Sequence, residues 1–490
     1  MSSLRKNYIL SLLTQTLTVI APLLVTPFVA RRLQADNIGI FSYTESIVFI
    51  FGLFALSGSK THGKREIAYC QGNTEKELQT FAEIFITSGI TTAIVTLSYI
   101  IFIAMQSSYR LIFYIQVFEL IAFHWDITWY YEGKENFKTL LHRNMLVKIL
   151  YIILVFSLIR DTGDLLLYVI LRVGTFLLGN ITLLFPVISR CLKSKIRIKL
   201  SMIPVHLKKM FPLFVPQIAI QVYTVLDKTM IGVITQSPYQ NGCYEEAMKV
   251  IRVLMNFVGA ASGVLMPRFA ALYASNRHEE IRHKLFSGIR FIFIVTLPMI
   301  AGIVIVAPVL LPLFLGEGFD DAVILLQILA VLLLLIGLSG LFGNGVLLAC
   351  REEKKYTYCI VFGAIVNFLL NLFLIPILQA KGAAIASVAA ELTVTATMFF
   401  CIRDKFSGRD LLTGSVKPLS ATLAMTGVLL LIGKLFTART PLYLFLITAS
   451  GMFVYAAMLV LLREKLTFDI ITSLKAKLLK HKERENVDGK

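Results

Sequence analysis

Ionisable side chains interrupt otherwise apolar stretches of this 490-residue sequence at Glu45, Glu83, Glu119, His124, Asp126, Arg172, Asp227, Lys228, Lys249, Arg252 and Glu391. In hydrocarbon such a group costs about 3 kcal/mol on insertion scales, so it turns to a bundle interior, a wet cavity or a partner. Arg172 and Glu391 are expected to lie deepest, Glu391 in the middle third of its stretch and Arg172 about two turns inside its own. Asp227 and Lys228 are adjacent and point in different directions on one helix. Lys228 is expected to line a cavity while its neighbour locks to another helix. Glu45, Lys249 and Arg252 lie near stretch ends, where snorkelling and a site are both open readings. Asp126 is expected to point inward, with Trp129 and the two tyrosines after it forming an interfacial aromatic belt. Asn367 and Asn371, four apart on one face, are expected to bond between helices. A Walker loop, H-E-x-x-H, G-x-S-x-G and metal-spaced histidines are absent from the sequence. These charges therefore read as binding and gating groups. The chain is not expected to be an enzyme and carries no cofactor motif.

The elements that hold them are fourteen apolar runs, at 8–30, 37–59, 79–104, 109–131, 141–159, 165–189, 210–235, 247–268, 287–309, 322–349, 356–378, 382–402, 416–435 and 441–462. Each is close to or above the roughly 20 residues that span a bilayer as helix. Lipid cannot satisfy exposed backbone groups, which leaves helix as the only open-chain solution. The fold class is all-α polytopic membrane protein. Hydrophobic content of 57% and mean hydropathy of +0.75 exclude an ordinary soluble domain. Lysine and arginine number 32 in the N-tail, the even-numbered loops and the C-tail, against 5 in the odd-numbered loops. That asymmetry places both termini in the cytoplasm. The net charge of +18 then reflects topology and anionic-lipid contact, and calls for no nucleic acid. The first run is too long, and lacks a cleavage site, for a removable signal peptide.

A faint internal repeat pairs the first six runs with the next six. Proline-bearing helices (Pro22 and Pro27; Pro212 and Pro216) open corresponding segments, and Arg172 and Glu391 sit in the sixth and twelfth runs. The expected organisation is an N-lobe at 1–190, a basic cytoplasmic linker at 191–209, a C-lobe at 210–402, two further helices at 403–462 and a basic tail at 463–490. Leu466, Ile470, Leu474 and Leu478 of the tail share one helical face. Parallel repeats about the membrane normal place a substrate site between the halves in transporters.

The segments TPFVARRLQADNIGIFSY, THGKREIA, WYYEGKENFKTLLHRNMLVKI, LDKTMIG, NGCYEEAMKVIRV, MPRFAALY and IVNFLLNLFLIPILQAKGAAIASVAAEL resemble those of the bacterial Wzx-like oligosaccharide flippases of the MOP (MATE-like) exporter superfamily. The resemblance runs from the first helix through the twelfth. Gln34 departs from the family pattern, which usually has glycine there. The resemblance implies a two-lobed bundle with alternating access in the bacterial inner membrane. It implies a cargo of undecaprenyl-diphosphate-linked oligosaccharide for capsule, O-antigen or exopolysaccharide synthesis. Membrane lipids, and a polysaccharide polymerase downstream, are the implied partners. Arg31 corresponds to the arginine of the first-helix motif and Lys228 to the lysine of L-D-K-x-M-I-G. With Arg172 and Arg252 they are the expected head-group cations, because guanidinium forks match phosphate. Glu45, Asp126 and Glu391 are the expected coupling or gating acids, with a proton or sodium ion as coupling species. A lipid II flippase and a cation-coupled multidrug exporter of the same superfamily are the alternatives; the buried cations count against the second.

Overall fold

The computed structural model describes residues 2–70, 72–194, 196–275, 277–403, 408–435, 440–464 and 467. The amphipathic face expected of the tail lies outside these residues. Among the described residues the chain is helical, with no strand. The helices are α1 (Ser2–Leu56), α2 (Ser59–Tyr69), α3 (Thr74–Met105), α4 (Arg110–Trp125), α5 (Thr128–Gly133), α6 (Phe137–Leu158), α7 (Leu165–Lys193) and α8 (Ile203–Thr235). They continue as α9 (Pro238–Ala274), α10 (His278–Leu315), α11 (Asp320–Leu329), α12 (Leu332–Gly340), α13 (Glu353–Leu378), α14 (Ala380–Ile402), α15 (Gly408–Leu435) and α16 (Pro441–Leu461). Eleven segments of the described residues are long and apolar enough to cross a membrane.

Local chemistry sets the breaks. The first two apolar runs are one element, α1, turned at Gln34 (φ 64°, ψ 170°). That region of backbone space is essentially reserved for glycine. Gln34 is held there by its own side chain, whose Nε2 donates to the Arg31 carbonyl at 2.9 Å. The corner is tied further by Arg32, which donates to the Arg160 carbonyl at 2.9 Å. Asn73 caps α3 by accepting from the Lys76 amide at 2.9 Å, with Glu75 and Glu77 in the first turn, where the helix dipole favours acids. The glycine-rich tenth run becomes α11, α12 and a π-helical turn at Leu341–Leu348.

The fourth run differs from expectation. It breaks between α4 and α5, where Asp126 Oδ1 accepts from the Thr128 amide at 3.2 Å. The break turns Trp129, Tyr130 and Tyr131 into a buried cluster with Ile67, Phe81 and Leu183. They form no interfacial belt. Tyr130 donates to Glu77 and Tyr131 donates to the Leu183 carbonyl, so the hydroxyls are satisfied inside the protein.

By contacts the chain divides into two units. The first holds residues 1–246, 315–318 and 371–383. It contains the aromatic cluster above and a second core around Val48, Tyr99, Phe113 and Leu120. The approach to α8 is anchored in this unit by a buried polar chain. His62 and His206 share a 2.9 Å hydrogen bond, His206 meets Glu83 at 3.4 Å, and Glu83 also accepts from the Lys199 amide at 3.3 Å. The second unit holds 247–314, 319–370 and 384–490. Its core gathers Phe269, Ile289, Phe342 and Met398, and a further cluster joins Met425 and Leu429 of α15 to Tyr455 of α16.

Candidate functional site: a charged cluster in the first unit

Three of the expected site residues come together inside the first unit. Glu45 lies on the second arm of α1, Arg172 about two turns into α7 and Lys228 on α8. Arg172 Nη2 is 3.5 Å from Glu45, and Lys228 Nζ is 3.9 Å from the other oxygen of the same carboxylate. A residue not among the expected set completes the cluster: Glu245, 3.1 Å from Lys228. Lys228 and Glu245 are both buried, each side chain 7% exposed, whereas Arg172 keeps 45% of its side chain open.

Helical spacing explains the meeting. Ser42 lies one turn before both Glu45 and Ser46 on α1, so it neighbours each on that side of the helix. Ser42 donates to Glu245 at 3.5 Å, and Ser46 is 2.7 Å from Thr229. On α8, successive residues are rotated by about 100°. Lys228 therefore faces α1 and α9, while Asp227 turns to a different set. It accepts from Tyr244 at 2.6 Å and from Asn371 at 2.6 Å. The expected interhelical role of Asn371 is met there. Glu245 had been hidden in a segment expected to be loop; α9 begins at Pro238 and buries Glu245 and Glu246 instead. In the sequence Glu245 is marked by the Glu-Glu pair and by its place in the segment NGCYEEAMKVIRV.

Glu119 of α4 is also buried, within electrostatic reach of Glu45 and Arg172. Its Oε2 finds no hydrogen-bond partner among the described residues. Three carboxyls thus gather about two cations. In this state both cations are committed to protein acids, so an incoming anion must displace a carboxylate to be bound.

The remaining expected residues lie elsewhere. Arg31 is exposed at the corner of α1, its stem over Gly316, which has a φ of 93°. Asp126 pairs with Lys60 of α2 at 2.6 Å. Arg252 is exposed on α9 in the second unit. Glu391, also in the second unit, is buried and accepts a hydrogen bond from Ser339 of α12.

Comparison with known proteins places this geometry. A profile described as "Polysaccharide biosynthesis protein" matches residues 4–273, and one described as "Lipid II flippase MurJ" matches 215–450. A protein of Escherichia coli (strain K12) titled "Putative O-antigen transporter" is 24% identical over 82% of this chain and 97% of its own length. A protein of the same title from Shigella dysenteriae is 22% identical over 82% of this chain and all of its own. Among solved structures, "Lipid II flippase MurJ, inward closed conformation" superposes with a TM-score of 0.73 at 17% identity, covering 93% of this chain and 99% of that one. An inward-facing MATE-family multidrug resistance transporter of the MOP superfamily gives 0.56 at 14% identity, over 79% and 94%. These likenesses give the fold, and the first profile, spanning more than half of the residues, gives the family: the chain belongs to the polysaccharide biosynthesis proteins.

Proposed function

We propose that this protein carries undecaprenyl-diphosphate-linked oligosaccharide repeat units across the bacterial cytoplasmic membrane by alternating access, with fourteen crossings, two six-helix lobes and both termini in the cytoplasm. A sugar diphosphate cannot cross hydrocarbon unaided, because its charges and hydroxyls would lose their water. The observation that carries the reading is Arg172. It is an arginine about two turns inside a membrane-length helix, with 45% of its side chain open and 3.5 Å from Glu45. A partly exposed arginine within a membrane-spanning helix turns to water, a cavity or a polar partner.

The cluster supports an exchange mechanism. The diphosphate takes the place of Glu45 on Arg172, and Lys228 adds attraction through the same vacated carboxylate. A proton or sodium ion on Glu45 favours the exchange, which links cargo binding to an ion gradient. Glu391, held by Ser339, is proposed as a gating acid of the second unit, and Arg31 and Arg252 as cations met on the way in or out. Asp126 serves as an anchor to Lys60. A polysaccharide polymerase is the proposed consumer of the product.

The test is Arg172→Ala beside Arg172→Lys in a strain lacking the native transporter. The expected result is loss of surface polysaccharide in the alanine variant at normal membrane protein level, with partial activity in the lysine variant. Normal polysaccharide in Arg172→Ala would remove Arg172 from the site and the reading with it. The match of residues 215–450 to a lipid II flippase profile favours lipid II as a second cargo. Rescue of a strain without its peptidoglycan flippase, and no rescue of polysaccharide, would select that cargo.

A further inference from the structure

A cavity of about 700 Å³, lined by none of the charged residues of the cluster, lies in the first unit between α1, the α3–α4 turn and the α8–α9 turn. Its polarity is graded. The mouth is made by Gln106, Ser107, Ser108, Gln236 and Ser237 at helix ends. The walls below carry Ile47, Ile50, Phe51, Phe102 and Val233, with Tyr43 and Thr229 among them, the Thr229 hydroxyl taken up by Ser46 at 2.7 Å. Gly39 at the top and Ile50 near the bottom are eleven residues apart on α1, about 16 Å of helix. That is about half of a hydrocarbon core. Val233 keeps 56% of its surface open, so one wall of the cavity gives onto the surroundings of the helix bundle.

Its shape is held by close backbone contact. A Cβ on Gly39 would stand 1.8 Å from the Pro238 carbonyl oxygen, and one on Gly232 would stand 2.1 Å from the Tyr43 ring. The lining includes no lysine, arginine, aspartate or glutamate. Arg110, the cation next in sequence, turns its guanidinium to the Gln106 and Ala104 carbonyls. One lining residue also carries a buried polar atom with no hydrogen-bond partner among the described residues. Asn241, a lining residue, donates through Nδ2 to the Lys228 carbonyl at 2.9 Å, while its Oδ1 accepts from nothing among the described residues.

We propose that this cavity is a lipid site that takes one acyl chain of a glycerophospholipid from the leaflet at the end poor in lysine and arginine. The chain lies along the apolar wall. The ester carbonyls accept from the serine hydroxyls and glutamine amides of the mouth. The phosphate, several ångströms further out, stays in water. A polyprenyl diphosphate fits the same slot poorly, since its charges attach directly to the chain and would rest on an uncharged mouth. The site is distinct from the cluster around Arg172 and does not depend on the transport reading.

The experiment uses the full-length protein in vesicles of phosphatidylethanolamine and phosphatidylglycerol, with a trace of phosphatidylethanolamine bearing a mid-chain diazirine. After illumination, adducts are mapped by mass spectrometry. Adducts on residues 47–51, 102 or 233 should exceed those on the exposed residues of α16 by at least fivefold. Val233→Trp, and separately Ile50→Trp, should lower them at least fivefold with α16 labelling unchanged, which also reports that the variant is inserted. Even labelling of all exposed helices would overturn the proposal, as would unchanged labelling in both variants. Preferential labelling by a diazirine-bearing polyprenyl phosphate would equally overturn it. Transport is not read, so a failed flippase assay leaves this result standing on its own.

Discussion

Replacing Glu245 by glutamine should cost more stability than replacing Glu45, although Glu45 touches two cations and Glu245 is in contact with Lys228 at 3.1 Å. At an effective dielectric near 20, Coulomb attraction at that distance is about 5 kcal/mol. Both side chains are 7% exposed, so the loss of one partner strands a buried charge, at about 3–5 kcal/mol. Lys228 retains Glu45 at 3.9 Å, which brings the expected cost of Glu245→Gln to about 3 kcal/mol. In Glu45→Gln, Lys228 keeps Glu245. The Arg172 contact that is lost is 45% open on the arginine side and is worth about 1 kcal/mol or less after solvent screening. The assay is the denaturation midpoint of the purified protein in detergent micelles. Glu245→Gln should lower it about three times as far as Glu45→Gln. Lys228→Met combined with Glu245→Gln should regain at least half of what Glu245→Gln loses, because the stranded charge is gone. A Glu45→Gln loss equal to or larger than that of Glu245→Gln would refute the reasoning, as would a double variant no better than the single.

Two further outcomes follow from the backbone. Gln34→Gly should raise the midpoint, by about 1 kcal/mol: relief of about 1–3 kcal/mol of strain outweighs the lost side-chain bond to the Arg31 carbonyl and the added chain entropy; a lower midpoint would sink it. Gly242→Ala places a Cβ 2.0 Å from the Ala35 carbonyl oxygen, a backbone atom that cannot rotate away, so α9 must leave α1. The folded fraction by size-exclusion chromatography should fall sharply, and an unchanged profile would show that this seam is looser than its geometry.

The helices were legible because the bilayer solvent leaves so little choice. Runs of about twenty apolar residues must be helical, and a charge within them must find water or a partner. The transfer cost identified Glu45, Arg172 and Lys228 one at a time. It did not pair them. Glu245 escaped because polar residues near the end of an apolar run look like loop, whereas α9 starts at Pro238 and carries the acid into the core. The aromatic residues after Asp126 read as a belt because composition cannot tell a membrane interface from a protein interior; the helix break at Asp126 decides between them.

Composition and periodicity therefore determined the solvent, the helical class and the identity of the costly charges, since these depend on local transfer free energy. Family membership was also written in the order of the motifs. Which charges meet is a matter of rotation about α1, α7, α8 and α9 and of where each helix begins, and only packing decides that. The tertiary structure placed Arg172 and Lys228 on one carboxylate. It gave Lys228 a second acid, and it left 45% of the Arg172 side chain exposed beside Glu45.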